Sequence, residues 1–287
     1  MSFQISLLTR FVFRSPALSS FFRNWRDGRA LREEPKETVL GFRFNGHKAM
    51  ERGVFEPTET RLISRLLPLA DTVVNVGANI GYYCCLALKE GKHVVAFEPM
   101  PTNLRYLLRN VFANGWQSAF ECFPMALSDK SGLIKIYGSG TGASLIKGWA
   151  GQDYATIVPV STLDTILGDR LHSEKLLVII DVEGVEYSVL QGAQQLLASP
   201  TPPIWFMEVV GTHHQPGGTT VNPNFYKTFK MFAEHGYTAI TADNDPRIIP
   251  LSTIESDKEW PASNPLTYKF IFVENAAADM VLERLRQ

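Results

Sequence analysis

The stretch "VNVGANIGYYCCLALKEGKHVVAFEP", residues 74–99, decides how the chain is read. It opens as a β-branched strand, breaks at Gly77, passes Gly81 into an apolar helix, and runs through a second strand that ends on Glu98. Gly77 falls where strand becomes loop, so the chain can turn sharply there and offer bare backbone to a ligand. Gly81 opens the next helix, whose exposed N–H groups and positive dipole end favour an anionic group. In an open parallel sheet the binding crevice lies beyond the carboxyl ends of the strands. Glu98 comes 21 residues after Gly77, at the tip of the adjacent strand. There it can accept both hydroxyls of a ribose, each charge-assisted bond being worth roughly 1.5–3 kcal/mol.

A tight turn or a surface acid explains either feature alone, but explains the pair at this spacing less well, so the stretch reads as a pocket for a nucleoside-bearing cofactor. The dinucleotide fingerprint is G-x-G-x-x-G, whereas here Ala78, Asn79 and Ile80 separate the two glycines. A pyrophosphate wants the missing middle glycine, which disfavours a nicotinamide dinucleotide. S-adenosylmethionine carries no phosphate, and its methionine carboxylate and ammonium need only a short glycine loop.

Outward from this stretch, short apolar strands alternate with amphipathic helices. The pattern predicts strands at Val73–Val76, His93–Phe97, Ala119–Ala126, Leu177–Asp181, Ile204–Val209, Thr238–Thr241 and Lys269–Val273. Helices are predicted near Tyr82–Lys89, Asn103–Asn114, Tyr187–Ala198 and Phe225–His235. Nearly all-apolar strands such as "LLVII" and "IWFM" are expected where helices cover both faces of a mostly parallel sheet. "GLIKIYG" and "TIVPVS" read as short extra strands with the glycine-rich "GSGTGAS" between them, a flap over an acceptor pocket in which Thr141 and Ser144 are candidate contacts. Residues 243–265, with four prolines, read as a long loop in which "DNDP" is a turn.

The 287 residues, 45% hydrophobic and 20% charged, suffice for a large α/β domain. A net charge of -1 gives no global attraction to nucleic acid or to an anionic membrane. Cys84, Cys85 and Cys122 form neither a C-x-x-C pair nor an even framework, and read as small buried hydrophobes. No apolar run is long enough to span a bilayer. Residues 1–26 carry Arg10, Arg14, Arg23 and Arg26 and no acid, interleaved with Phe, Leu and Trp. That pattern fits a helical flap packed on the main domain, the favoured reading, or an amphipathic helix weakly associated with a membrane surface.

The chemistry-bearing residues gather after the later strands. In "IDVEGVE", Asp181 and Glu183 occupy alternate positions and share a face toward the crevice, while Glu186 suits the start of the next helix. "MEVVGTHHQPGG" brings Glu208, His213 and His214 to the same sheet end, and a histidine neutral near physiological pH is a candidate general base. Nothing in the spacing forces these acids and histidines together, so no metal site is expected. Trp149, Trp205 and Trp260 are read as packing residues before stacking platforms.

With these residues in hand, the chain resembles the FkbM family of S-adenosylmethionine-dependent methyltransferases over roughly Phe42–Val273. The resemblance is carried by "NVGANIGYY", "VVAFEPMPTNLRYLLRN", "PMALSD" (Pro124–Asp129), "VSTLDTIL" (Val160–Leu167), "IIDVEGVEYSVLQGA" (Ile179–Ala193) and "FEPTET" (Phe55–Thr60), in that family's order. It implies that Gly77, Ala78, Asn79 and Gly81 line the methionine end of the cofactor and that Glu98 holds the ribose. It further implies that Ala126 and Leu127 lie near the adenine and that Asp181 faces the sulfonium and the acceptor. The family usually has Asp where this chain has Asn75, whose amide can make the same hydrogen bonds without the charge.

The resulting expectation is a Rossmann-like class I methyltransferase fold, a seven-stranded, mostly parallel, doubly wound sheet with helices on both faces. It divides the chain into a basic amphipathic segment (1–40), a lead-in (41–70), the catalytic domain (71–275) and a tail (276–287). The expected activity is transfer of a methyl group from S-adenosyl-L-methionine to a hydroxyl of a small molecule, such as a glycan unit or natural-product scaffold, in the cytoplasm and without nucleic acid. Asp181, Glu183, His213 and His214 are the catalytic candidates; Asn75, Gly77, Ala78, Asn79, Gly81, Glu98, Ala126, Leu127 and Asp181 are the cofactor candidates. The alternatives are an NAD(P)-dependent oxidoreductase on a similar sheet, or a non-catalytic, membrane-tethered module with a degenerate cofactor site.

Overall fold

The computed structural model describes residues 33–138, 140–149, 155–256, 260–264 and 267–287. The four arginines of the basic amino-terminal segment lie outside the described residues. Eight strands build one sheet: β1 (Thr72–Val76), β2 (His93–Phe97), β3 (Phe120–Phe123), β4 (Leu176–Ile180), β5 (Ile204–Glu208), β6 (Tyr237–Thr241), β7 (Ile248–Ile249) and β8 (Lys269–Glu274). Their order is β7-β6-β8-β5-β4-β1-β2-β3. The five strands from β3 to β5 across the sheet run parallel. β8 is antiparallel to both β5 and β6, and β7 to β6.

Alternation along each central strand feeds two cores, as the pleat requires. Val73, Leu177 and Ile179 pack on one side with the helix Tyr82–Lys89. Val74, Val76, Val178 and Ile180 pack on the other with the helix Phe225–Glu234. Helices on both faces make this the doubly wound, Rossmann-like sheet that was expected.

Four details differ from the sequence expectation. The third strand stops at Phe123 because Pro124 cannot continue the ladder. Ala126–Leu127 instead joins a separate three-stranded sheet, pairing parallel with Ala155–Ser161, which itself pairs antiparallel with Gly132–Tyr137. The helix predicted over Tyr187–Ala198 splits into Glu186–Gln191 and Gln194–Leu197 around Gly192. A Cβ on Gly192 would sit 2.2 Å from the Ser128 carbonyl oxygen, so glycine lets the two segments touch.

The third difference is the predicted loop 243–265, which holds β7, the sheet's eighth strand, and short helices at Leu251–Ser256 and Trp260–Ser263. Ile254 and Trp260 bury there, and "DNDP" does form a turn, in which the Asp245 N–H donates to Asp243 Oδ1 at 2.9 Å. Finally, the predicted tail is a helix, Ala278–Arg286. Its Val281 and Leu285 are fully buried against the helix Pro57–Leu66, itself part of the predicted lead-in. Spacing of four residues puts both on one face.

Candidate active site

The carboxyl ends of β1, β2, β4 and β5 open onto one cavity of about 570 Å³. Every site residue expected from the sequence except Gly81 lines it: Asn75, Gly77, Ala78, Asn79, Glu98, Ala126, Leu127, Asp181, Glu183, His213 and His214.

The two glycines have different jobs from the ones their spacing suggested. Gly77 has φ +81°, and a Cβ there would lie 1.9 Å from the Asp181 carbonyl oxygen. Glycine is needed at this point so that the tip of β1 can touch the chain leaving β4; the bare backbone faces protein as well as the cavity. Gly81, with φ +88°, would drive a Cβ to 2.4 Å from Leu107 Cδ1. It therefore serves the close packing of the helix Tyr82–Lys89 on the helix Pro101–Ala113, and its assignment to the cofactor surface is corrected.

Between them Asn79 adopts a left-handed backbone, φ +52°, and turns its N–H toward Glu98. Glu98 is buried at the tip of β2. Its Oε2 accepts from the Asn79 N–H at 2.7 Å, and its Oε1 accepts from the Met100 N–H at 2.8 Å and from Asn103 Nδ2 at 3.2 Å. Burial raises this carboxyl to about 7, against the lowering effect of those three donors. Asn79 Oδ1 is buried and has no hydrogen-bond partner among the described residues. A fixed acid with spare lone pairs and an orphaned amide oxygen suit a ligand that brings hydroxyl and amino donors. The apolar walls nearby, Met100, Ala126, Leu127 and Ile136, suit a flat base. The cavity thus fits the chemistry of S-adenosylmethionine. Asn75, buried in the middle of β1, donates from Nδ2 to Cys84 Sγ at 3.4 Å.

The opposite end of the cavity is rich in charge. Asp181 follows β4, and its N–H donates to the Val76 carbonyl at 3.0 Å. Burial raises its carboxyl to about 6, Lys269 opposing and Glu183 adding to the rise. Glu208 ends β5 and is likewise pushed well up, by burial first and Asp181 second. Lys269 stands against Glu208, 96% hidden from solvent, with Nζ 2.9 Å from Glu56 Oε1, 3.6 Å from Glu208 Oε2 and 4.0 Å from Glu59 Oε1. Tyr83 closes the group by donating from its hydroxyl to Glu56 Oε2 at 2.5 Å.

Sequence reasoning passed over Lys269, Glu56 and Tyr83. β8 is antiparallel, so its first residue, not its last, meets the crevice. A lysine at the head of the otherwise apolar "KFIFV" was the available signal.

Glu183 lines the cavity, and its Oε2 accepts from Trp149 Nε1 at 2.8 Å. Glu186 points elsewhere: it is buried at the start of its helix and accepts from the Gly184 N–H at 2.9 Å. His213 and His214 are exposed at the mouth, with His214 Nδ1 4.0 Å from Glu183 Oε2. Trp149, Trp205 and Trp260 are all buried in packing roles. Ser144 is also buried, and the Thr141 side chain lies outside the described residues. Among the described residues no three His, Cys, Asp or Glu side chains converge as metal ligands would, and no helix is long and apolar enough to cross a membrane.

Residues 75–239, more than half of the chain, match the family described as the Methyltransferase FkbM domain. No curated protein matches. Among solved structures, the chain is similar to a methyltransferase FkbM from Methylobacillus flagellatus KT, with a TM-score of 0.42 at 16% identity, covering 71% of this chain and 43% of that one. Cofactor-bound Rv0187 from MTB gives a TM-score of 0.42 at 13% identity, covering 78% and 83%. A SAM-dependent methyltransferase from Agrobacterium tumefaciens gives 0.41 at 11%, covering 84% and 69%. This chain therefore spans less than half the length of the Methylobacillus protein.

Proposed function

Because the chain belongs to the FkbM methyltransferase family, we propose that it transfers a methyl group from S-adenosylmethionine to a hydroxyl of a small-molecule or glycan acceptor. The observation that carries this reading is Glu98, buried in the cavity with both carboxylate oxygens already oriented by Asn79, Met100 and Asn103. When bound, the cofactor supplies an electrophilic methyl on a sulfonium. Glu98 would hold the ribose hydroxyls, Asn79 Oδ1 would accept from the amino group, and Ala126 with Leu127 would pack on the base.

The work left to the protein is alignment and a single proton. In-line displacement needs the acceptor oxygen held close to and in line with the methyl, and positioning alone can remove much of the barrier. Asp181, at the junction of the two ends, is the residue best placed to receive the acceptor's proton, since its raised carboxyl matches a base working near neutrality. Lys269 keeps a positive charge beside Asp181 and Glu208 and so favours their ionised forms. His213 and His214 stand at the mouth, where they would meet the acceptor's outer portion.

The test is incubation of the full chain with methyl-labelled S-adenosylmethionine and extract from its own source, followed by identification of labelled material. Label on a hydroxyl oxygen supports the reading. Absence of both labelled product and measurable S-adenosylhomocysteine binding would reject it.

A further inference from the structure

We propose that Glu183 is a positioning residue that fastens the Ser144–Trp149 segment over the acceptor end of the cavity, and that it does not take the acceptor's proton. This inference rests on the methyl-transfer reading for its catalytic consequence, but not for its geometry. Glu183 sits one turn beyond β4 with a left-handed backbone, φ +55°. Three contacts converge on it. Its Oε2 accepts from Trp149 Nε1 at 2.8 Å, its carbonyl oxygen accepts from Ser144 Oγ at 2.6 Å, and His214 Nδ1 stands 4.0 Å from Oε2. The next residue completes the seat. A Cβ on Gly184 would lie 2.4 Å from Trp149 Cζ3, so the indole rests directly on the glycine.

The segment and the residues just before it form a wall of the cavity, to which they contribute Gly140, Ala143 and Leu145. Its other end is tied to the cofactor half, because Asn103 Nδ2 reaches both Glu98 Oε1 and the Gly140 carbonyl at 3.2 Å. The wall is thus anchored at Glu98 through Asn103 and at Glu183 through Trp149. The bond from a buried indole N–H fixes the orientation of the Glu183 carboxylate, as a positioning role requires. What the seat requires of residue 183 is an acceptor atom rather than a charge, and a glutamine supplies one.

The test compares Glu183→Gln, Glu183→Ala and Trp149→Phe in the full chain, reading amide hydrogen exchange over residues 140–149 with and without S-adenosylhomocysteine. Transfer of labelled methyl into source extract is measured alongside. Glu183→Gln is expected to leave both readouts within about twofold of the parent. Glu183→Ala and Trp149→Phe should each speed exchange over the segment by about tenfold or more, the size of one buried polar group left without its partner. They should also lower transfer, and the double variant should be no worse than the weaker single one, since both remove the same contact.

Loss of transfer in Glu183→Gln with exchange unchanged would make Glu183 the base and overturn the proposal. Unchanged exchange in both Glu183→Ala and Trp149→Phe would equally overturn it. If Glu183→Ala does not fold, Ser144→Ala with Trp149→Phe makes the same comparison. A parent protein that transfers nothing would count against the proposed activity, while the exchange data would still decide the positioning role.

Discussion

Lys269, the first residue of β8, pairs in antiparallel register with Glu208, the last residue of β5, and its Nζ stands 3.6 Å from the Glu208 carboxylate. This single cation offsets Glu56, Glu59 and Glu208 in a place almost closed to water. Removing it leaves buried like charges uncompensated. Lys269→Met should destabilise the protein by about 3–5 kcal/mol in urea titrations at neutral pH, the usual cost of breaking a buried ion pair. The deficit should shrink in mild acid as Glu208 and Asp181, both raised by burial, take up protons. A loss below 1 kcal/mol at pH 7 would show that the network is wetter than its burial indicates.

Glu98 has two duties that separate by substitution. Glu98→Ala removes the proposed ribose acceptor and also strands the Asn79 and Met100 N–H groups. It should therefore weaken S-adenosylhomocysteine binding by at least tenfold and lower stability by about 1–3 kcal/mol. Glu98→Gln keeps one acceptor oxygen and should lose binding with less effect on the melting temperature. Calorimetric titration of both variants checks this, and parent-like affinity in Glu98→Ala would remove Glu98 from the ribose site.

The raised carboxyls give binding and stability opposite pH dependences. Glu98 has its folded value at about 7, above its ordinary 4.5, so it contributes stability below pH 4.5 that is lost as pH rises toward 7. Glu186, also raised by burial to about 7, acts in the same direction. The ligand-free protein should accordingly melt higher at pH 6 than at pH 8. Affinity for S-adenosylhomocysteine should instead increase over that interval, as Glu98 ionises, and this increase should flatten in Glu98→Gln. A melting temperature that rises from pH 6 to pH 8 would contradict the assignment.

Asp181→Asn keeps the size of the side chain and discards its basicity. It should reduce methyl transfer by about 100-fold or more, within the usual range for a general base, while changing cofactor affinity by only a few-fold. Equal losses in both would reassign Asp181 to cofactor binding.

Gly77→Ala tests the contact between strand tips. The new methyl would meet the Asp181 carbonyl oxygen at 1.9 Å with the backbone already left-handed. A loss of about 3 kcal/mol or more is expected from overpacking plus backbone strain. Gly91→Ala, with φ +72° but nothing within 4 Å, should cost only about 1 kcal/mol in the same denaturation experiment.

The sheet was legible because its strands are short runs of Val, Ile and Phe broken by turn residues, and because Gly77 and Glu98 stand at the tips of neighbouring strands. What the sequence hid depends on contacts between distant segments. The purpose of Gly81 is set by Leu107 on the following helix. The place of Trp149 is set by Glu183 and Gly184. Lys269 looks like an ordinary strand start until the reversal of β8 carries it to the crevice. Other misses were local and readable: Pro124 marks the end of β3, and Val281 with Leu285 gives the last helix an apolar face.

Since the α-carbon of Gly77 rests on the Asp181 carbonyl, the glycine loop after β1 and the acid cannot shift independently. They form a fixed corner, and any redesign that tries to admit a bulkier acceptor by spreading β1 from β4 would dismantle that loop first. Room for new acceptors has to be found instead at the exposed mouth, around His213–His214.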